Sequence, residues 1–187
     1  MASIAVIGSG NIGGTIGAAW KRAGHDVAFA SRSPSPPDTV AIPDAIAGAE
    51  LVLLAVPGGA VPGFLSEHGR ALEGRVVIDA TNDVGGARLS HPDAYERAPG
   101  ARFVRAFNTL GYEMFAEPSI GGELADLFWC GPDDAGIAQL IADVGLRPVQ
   151  VGDIDAIDVV DGVCRLWLTL VFRGGHPRRL AFRMLTD

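Results

Sequence analysis

Cysteine is scarce in this chain of 187 residues: only Cys130 and Cys164 occur, too few and too far apart for a disulfide framework or a cysteine-based metal site. They are expected as buried thiols. The four histidines, His25, His68, His91 and His176, show none of the close pairing that a zinc-binding helix needs, so no metal is assigned. His25, within Ala23-Gly24-His25-Asp26, reads as part of a helix-to-strand turn. Basic residues are also in the minority. The net charge of −7, with no stripe of Lys and Arg to track phosphates, argues against a nucleic-acid binder. The densest basic cluster, Arg173 to Arg183, is expected to be a C-terminal helix and its approach. No charged leader precedes an apolar run, and Ile4 to Gly8 is too short for a signal or membrane span. A cytoplasmic protein with no membrane partner is expected. No Ser-His-Asp, paired-carboxylate or Cys-His constellation stands out either, so no catalytic acid, base or nucleophile is named.

What the chain does have is apolar residues, 48% of the total, and 25 glycines. That balance suits a parallel sheet covered by helices on both faces and joined by tight turns. Short apolar runs alternate with helical or glycine-rich intervals, which reads as repeated strand-helix units. Strands are expected at Ile4–Gly8, Val27–Ala30, Leu51–Val56, Val76–Asp79, Phe103–Ala106, Asp126–Trp129 and Pro148–Val151. Helices are expected at Ile12–Ala23, Pro62–Leu72 and Pro132–Val144, the last opening on Gly131-Pro132-Asp133-Asp134, where an early Pro and acidic first turn suit a helix start. Ser31 to Thr39 holds three prolines and cannot form the usual crossover helix, so the third strand shrinks to about Thr39–Ile42 at the sheet edge, or is lost. Ala45 to Ala49 could then supply a short helix. After Val151, Ile154, Ile157, Val160, Cys164, Trp167, Leu168 and Val171 form one apolar helical stripe, and a second short helix is expected from Arg178 to Leu185. The fold class is therefore α/β: a doubly wound, mostly parallel sheet over residues 1–152 with a helical appendage over 153–187. The appendage is too small for its own core and must pack on the sheet domain, on a second subunit, or on both.

Ile4-Ala5-Val6-Ile7-Gly8-Ser9-Gly10-Asn11-Ile12-Gly13-Gly14 is a strand running into a G-x-G-x-x-G turn and then a helix. In that context Gly8 permits the tight turn, Gly10 the approach of a pyrophosphate to the main chain, and Gly13 the packing of helix on strand. Free N–H groups in the first turn of the helix would meet the diphosphate. At the end of the second strand an NAD site places Asp or Glu, but here the sequence reads Ala30-Ser31-Arg32-Ser33. A guanidinium and two hydroxyls can hydrogen-bond a 2′-phosphate that a carboxylate would repel. NADP(H) is the expected cofactor. Asp26 stands at the beginning of that strand, on the far side from the nucleotide.

These residues resemble the NADPH-dependent coenzyme F420 reductases and their Rossmann-fold relatives, which include the reductase domains of STEAP metalloreductases. The resemblance spans almost the whole chain, on Gly8 to Gly13, Ser31-Arg32, Ala55-Val56-Pro57, Val77 to Asn82, Ala106-Phe107-Asn108-Thr109 and the tail from Trp167 to Leu185. It implies a cofactor across the carboxyl ends of the strands: Ser9 to Ile12 on the diphosphate, Ser31 and Arg32 on the 2′-phosphate, and Val56 and Pro57 flanking its middle. Thr81, Asn82, Gly111 and Leu180 fall on the nicotinamide half. The acceptor would enter between Asn82, Asn108 to Gly111 and the C-terminal helices, with Asn108 and Thr109 orienting it.

The function expected is hydride transfer between NADPH and a deazaflavin such as coenzyme F420, or a flavin-like ring, in a homodimer. Two alternatives stay open. One is NADPH-dependent reduction of a small carbonyl or imine, which needs a proton donor such as Tyr112; the other is a non-enzymatic NADP(H)-sensing module.

Overall fold

The computed structural model describes residues 1–132 and 136–186. Numbered in chain order, β1 (Ser3–Ile7), β2 (Asp26–Ser31), β3 (Val40–Ala41), β4 (Leu51–Leu54), β5 (Val76–Asp79) and β6 (Arg102–Arg105) form one parallel sheet in the order β3-β2-β1-β4-β5-β6. This is the doubly wound order of dinucleotide-binding sheets, with its reversal between β1 and β4. The central strands have no polar side: Ile4 to Ile7 and all of Leu51 to Leu54 are buried, as strands covered on both faces require.

One face is covered by α1 (Asn11–Arg22), which buries Ile16, Ala19 and Trp20. Trp20 meets Phe107 edge-on and donates its indole N–H to the Leu140 carbonyl at 2.8 Å. The other face is covered by α2 (Ile42–Ala47) and α3 (Val61–His68), the latter continuing as a 3-10 turn to Leu72. Residues 32–39 form the expected loop, which closes on itself where the Ser35 N–H donates to Thr39 Oγ1. The edge strand survives as two residues pairing with Ala30 and Ser31. The short helix begins earlier than expected because Pro43 sits in its first turn.

Beyond β6 the chain forms α4 (Tyr112–Ala116), the hairpin β7 (Ser119–Ile120) and β8 (Glu123–Leu124), then β9 (Asp126–Trp129), α5 (Ile137–Asp143) and β10 (Arg147–Gln150). β9 and β10 pair parallel with one another and reach the main sheet through an antiparallel bridge between Arg105 and Cys130. They form an annex to the sheet rather than its continuation. The acidic turn expected at 133–134 lies outside the described residues, and α5 follows Gly136, whose φ of +66° is left-handed. His25 does sit in a helix-to-strand turn. Its Nδ1 accepts from the Ala2 N–H while Nε2 lies 2.8 Å from Asp143, which ties the start of β1 to the end of α5.

The appendage consists of α6 (Ile157–Phe172), entered through a 3-10 turn in which Asp153 caps the Ile154 N–H. α6 buries Ile157, Val160, Cys164, Trp167 and Val171. The second helix expected over Arg178–Leu185 does not form; residues 177–186 are irregular. Gly174 and Gly175 end α6, and the three arginines that follow each reach a different acid: Arg178 to Glu113, Arg179 to Glu117 and Arg183 to Glu123. Backbone groups of the tail are also spent on the annex. The Phe182 carbonyl accepts from the Asp126 N–H, and the Met184 N–H donates to the Asp126 carboxylate. A helix could not satisfy those partners.

Asp126 is fully buried and takes both forks of Arg147, at 2.6 and 2.7 Å. Since Arg147 is one-third exposed and can rehydrate, Asp126→Ala should cost about 2 kcal/mol, the worth of hydrogen bonds to a charged group. Urea unfolding of the variant would measure it.

Candidate functional site

The reversal point between β1 and β4 opens a cleft of about 890 Å³. Its floor is the glycine turn. Gly8 has a φ of +102°, and a Cβ there would strike the Ala55 carbonyl. At Gly13 a Cβ would run into the Gly8 carbonyl and Val6, so α1 lies directly on β1. A Cβ at Gly10, by contrast, would meet nothing within 4 Å, because it would project into open space above the turn. Gly10 is the N-cap of α1; no side chain caps it and the first turn carries no acid. Those N–H groups and the positive end of the helix are thus left for an anion.

The cleft wall includes Ser31, Arg32, Val56 and Pro57. Arg32 is exposed and has no ionic partner among the described residues. Ser31 Oγ donates to the Ser33 carbonyl at 2.8 Å. Asp26 is the first residue of β2, at the opposite end from the cleft. The sequence reading did not anticipate the far wall, made by Ile42, Pro43, Phe64 and His68. Phe64 and His68 stand one helical turn apart on α3, ring centroids 5.0 Å from each other, a spacing that could have been read as one face.

Thr81, Asn82, Asn108, Thr109, Gly111 and Leu180 do not line this cleft. Gly111 and Leu180 lie against Trp167, whereas Thr81, Asn82 and Asn108 gather at the carboxyl ends of β5 and β6 around a residue that sequence reasoning missed, the fully buried Arg105. Its Nε donates to Asp161 at 2.8 Å, one terminal nitrogen to Asp79 and the Thr81 carbonyl, and the other to Asn82 Oδ1. Asp79 also accepts from the Tyr95 hydroxyl, and Asp161 from Ser90 and from Asn108 Nδ2. Asn82 closes the ring by donating to the Asn108 carbonyl at 2.9 Å. Burial lowers the guanidinium pKa, but the Asp79 and Asp161 carboxylates outweigh it and the net shift is upward. Burial, then the Asp79 charge, holds the Tyr95 hydroxyl well above its ordinary range. Three atoms at these strand ends stay unpartnered: Thr81 Oγ1, Asn108 Oδ1 and Thr109 Oγ1.

Asn108 follows Phe107, whose φ of +61° is a left-handed conformation that costs a non-glycine residue about 1–2 kcal/mol. Edge-on contacts with Trp20 and Phe115 hold it there. Gly111 caps α4, and a side chain there would hit Trp167, the Arg178 carbonyl and Glu113. Leu180 is in the irregular tail, not a helix; its carbonyl accepts the Trp167 indole N–H.

Residues 3–83 match the family described as NADP oxidoreductase, coenzyme F420-dependent. A hypothetical protein of Sinorhizobium meliloti, SMa0349, is 30% identical over 83% of this chain and 87% of its own, with a TM-score of 0.70. The chain belongs to that NADP oxidoreductase family. It is accordingly an NADP-dependent oxidoreductase with NADP(H) as cofactor. A candidate F420-dependent NADP-reductase of Arthrobacter sp. FB24 shares the fold over the full length of both chains, at a TM-score of 0.83 and 24% identity. A reductive aminase of Aspergillus terreus, solved with NADPH and ethyl-5-oxohexanoate, has a TM-score of 0.68 at 18% identity. The oxidoreductase spans 63% of that longer chain.

No helix among the described residues is long and apolar enough to cross a membrane. Cys130 and Cys164 are buried and unbridged, and burial pushes each thiol up to about 12. Both stay protonated at neutral pH, so native protein should resist iodoacetamide at pH 8 and become labelled at both positions once unfolded; mass spectrometry reads the difference. Arg105→Met leaves Asp79 and Asp161 buried without their cation. It should destabilise the fold by about 3–5 kcal/mol, seen as a lower denaturant midpoint.

Proposed function

We propose that the protein transfers hydride between NADPH and a deazaflavin of the coenzyme F420 type, or a flavin-like ring, as a cytoplasmic homodimer. The observation that carries the cofactor half is one cleft shared by the uncapped start of α1 and an exposed Arg32 that makes no ion pair among the described residues. NADP(H), when bound, supplies the hydride from its nicotinamide ring.

The chain's residues hold and shield. Backbone N–H groups over Ser9, Gly10, Asn11 and Ile12 bind the diphosphate, and Gly13 keeps α1 close enough to present them. Arg32, with Ser31 and Ser33, grips the 2′-phosphate, while Val56 and Pro57 form the apolar wall beside the middle of the dinucleotide. Thr81, Asn82, Gly111 and Leu180 form the nicotinamide end. Asn108 and Thr109 orient the acceptor, which fits the Asn108 Oδ1 and Thr109 Oγ1 atoms left without partners. Residues 1–152 thereby carry the cofactor, and 153–187 close the acceptor side. The redox groups carry the chemistry of hydride transfer, so the protein contributes positioning and water exclusion.

Arg32→Ala should weaken NADPH binding by about 1.5–3 kcal/mol, the usual worth of a charge-assisted hydrogen bond, and leave NADH nearly unchanged in calorimetry. Equal losses would refute the phosphate assignment. Purified protein should also oxidise NADPH faster when coenzyme F420, FMN or riboflavin is added. Turnover of a cyclic imine with none of those acceptors would move the reaction to a C=N substrate; NADPH binding without any turnover would leave a sensor.

A further inference from the structure

We infer that the outward face of α6 is where two copies of this chain meet, with the two helices antiparallel. The inference rests on the homodimer reading above and adds its contact surface and register. Ile157, Val160, Cys164, Trp167 and Val171 turn inward. On the opposite side Val159, Val163, Leu166 and Leu170 follow one another at intervals of four, three and four residues, the spacing of a helix-pairing seam. Val159 is 59% exposed and Leu166 50%; Val163 and Leu170 are half-buried. An apolar row of this kind on a solvent-facing helix calls for a partner. Gly162 lies beside the row, and a Cβ there would meet nothing within 4 Å, which leaves room for a second backbone to come close.

The charges at the ends of the row choose the partner and its direction. Asp155 is exposed in the turn leading into α6, and Arg173 is exposed at its C-cap. Neither has an ionic partner among the described residues. Five turns of helix separate them on nearly the same side of the axis. In an antiparallel pair centred between Val163 and Leu166, Val163 faces Leu166 of the partner subunit and Val159 faces Leu170 of the partner subunit. Asp155 then meets Arg173 of the partner subunit, and two-fold symmetry makes the same pair again at the other end. A parallel pair would set Arg173 against Arg173 and Asp155 against Asp155. α6 has 16 residues, about 24 Å of helix, so the contact sits near the small end of specific interfaces and should depend on concentration.

Sedimentation or light scattering of the full chain over a dilution series up to roughly 100 µM tests this. The wild type should be dimeric at the upper end, and Leu166→Glu monomeric throughout with unchanged melting temperature and NADPH affinity, since Leu166 is exposed and away from the cleft. Arg173→Asp should weaken dimerisation roughly three- to ten-fold, the scale of exposed ion pairs lost twice. The double exchange Asp155→Arg/Arg173→Asp should restore it. A Leu166→Glu protein that dimerises like the wild type would overturn the surface while leaving the homodimer in place. A wild type monomeric at every concentration would end both, and a double exchange that fails to restore an Arg173→Asp defect would overturn the antiparallel register.

Discussion

A cation with no access to water organises this molecule. Arg105 is fully buried, and taking a guanidinium out of water costs several kcal/mol unless its donors are all met. Arg105 ends β6, and the structure meets its donors with two carboxylates, a side-chain amide and main-chain carbonyls drawn from the end of β5, the residues just after it, and α6. Because those partners belong to separate elements, satisfying one side chain fixes the relative position of all three. The same groups then set Asn82 and Asn108, whose amides are oriented by what Arg105 and Asp161 leave available. Local order at the ends of β5 and β6 is therefore electrostatic in origin. The strained backbone of Phe107 is held by a different force, the packing of three aromatic rings.

The cleft and the cluster at the ends of β5 and β6 are built on contrasting principles. The cleft by the glycine turn is open and lined largely by small or apolar residues, with positive charge supplied by a helix end and by Arg32 and with Glu67 and His68 along α3. Its design is the removal of obstacles: no cap on α1, no Cβ at Gly10, no carboxylate at the end of β2. The Arg105 cluster is crowded, closed and wired together by hydrogen bonds. An anion can be received by the first with little rearrangement, while in the second most polar groups are already committed and Thr81 Oγ1, Asn108 Oδ1 and Thr109 Oγ1 are left over.

Much of this was legible in the sequence. The glycine turn, the reduced third strand and the proline loop each follow from local rules that tertiary context does not overturn, since a left-handed glycine or a run of prolines has few alternatives. The buried network was not read, although its signal was present: Asp79 and Arg105 each interrupt an otherwise apolar run, and Asp161 sits within the inward stripe of α6. Single charges in apolar patterns look like strand ends until a partner of opposite sign is sought elsewhere in the chain. The tail was misjudged for a related reason. Arg178 to Leu185 has helical propensity, but Glu113, Glu117, Glu123 and Asp126 claim its arginines and backbone. Likewise β9 and β10 have strand sequences, but they pair with one another and reach the main sheet through the Arg105–Cys130 bridge.

Asp161 has a mechanical consequence. Through it α6 is moored to two strand ends by a charge that cannot be left behind in hydrocarbon, so swinging the helix away as a body would be the most expensive rearrangement open to the chain. Gly174 and Gly175, more than three helical turns beyond the mooring, carry no such penalty, and Gly175 already adopts a φ of +70°. Breathing near the Gly111 end is therefore assigned by the architecture to the residues around Arg178 and Arg179, whose surface ion pairs can exchange with water, while Asp126 holds the backbone of Phe182 and Met184 and the helix behind them stays put.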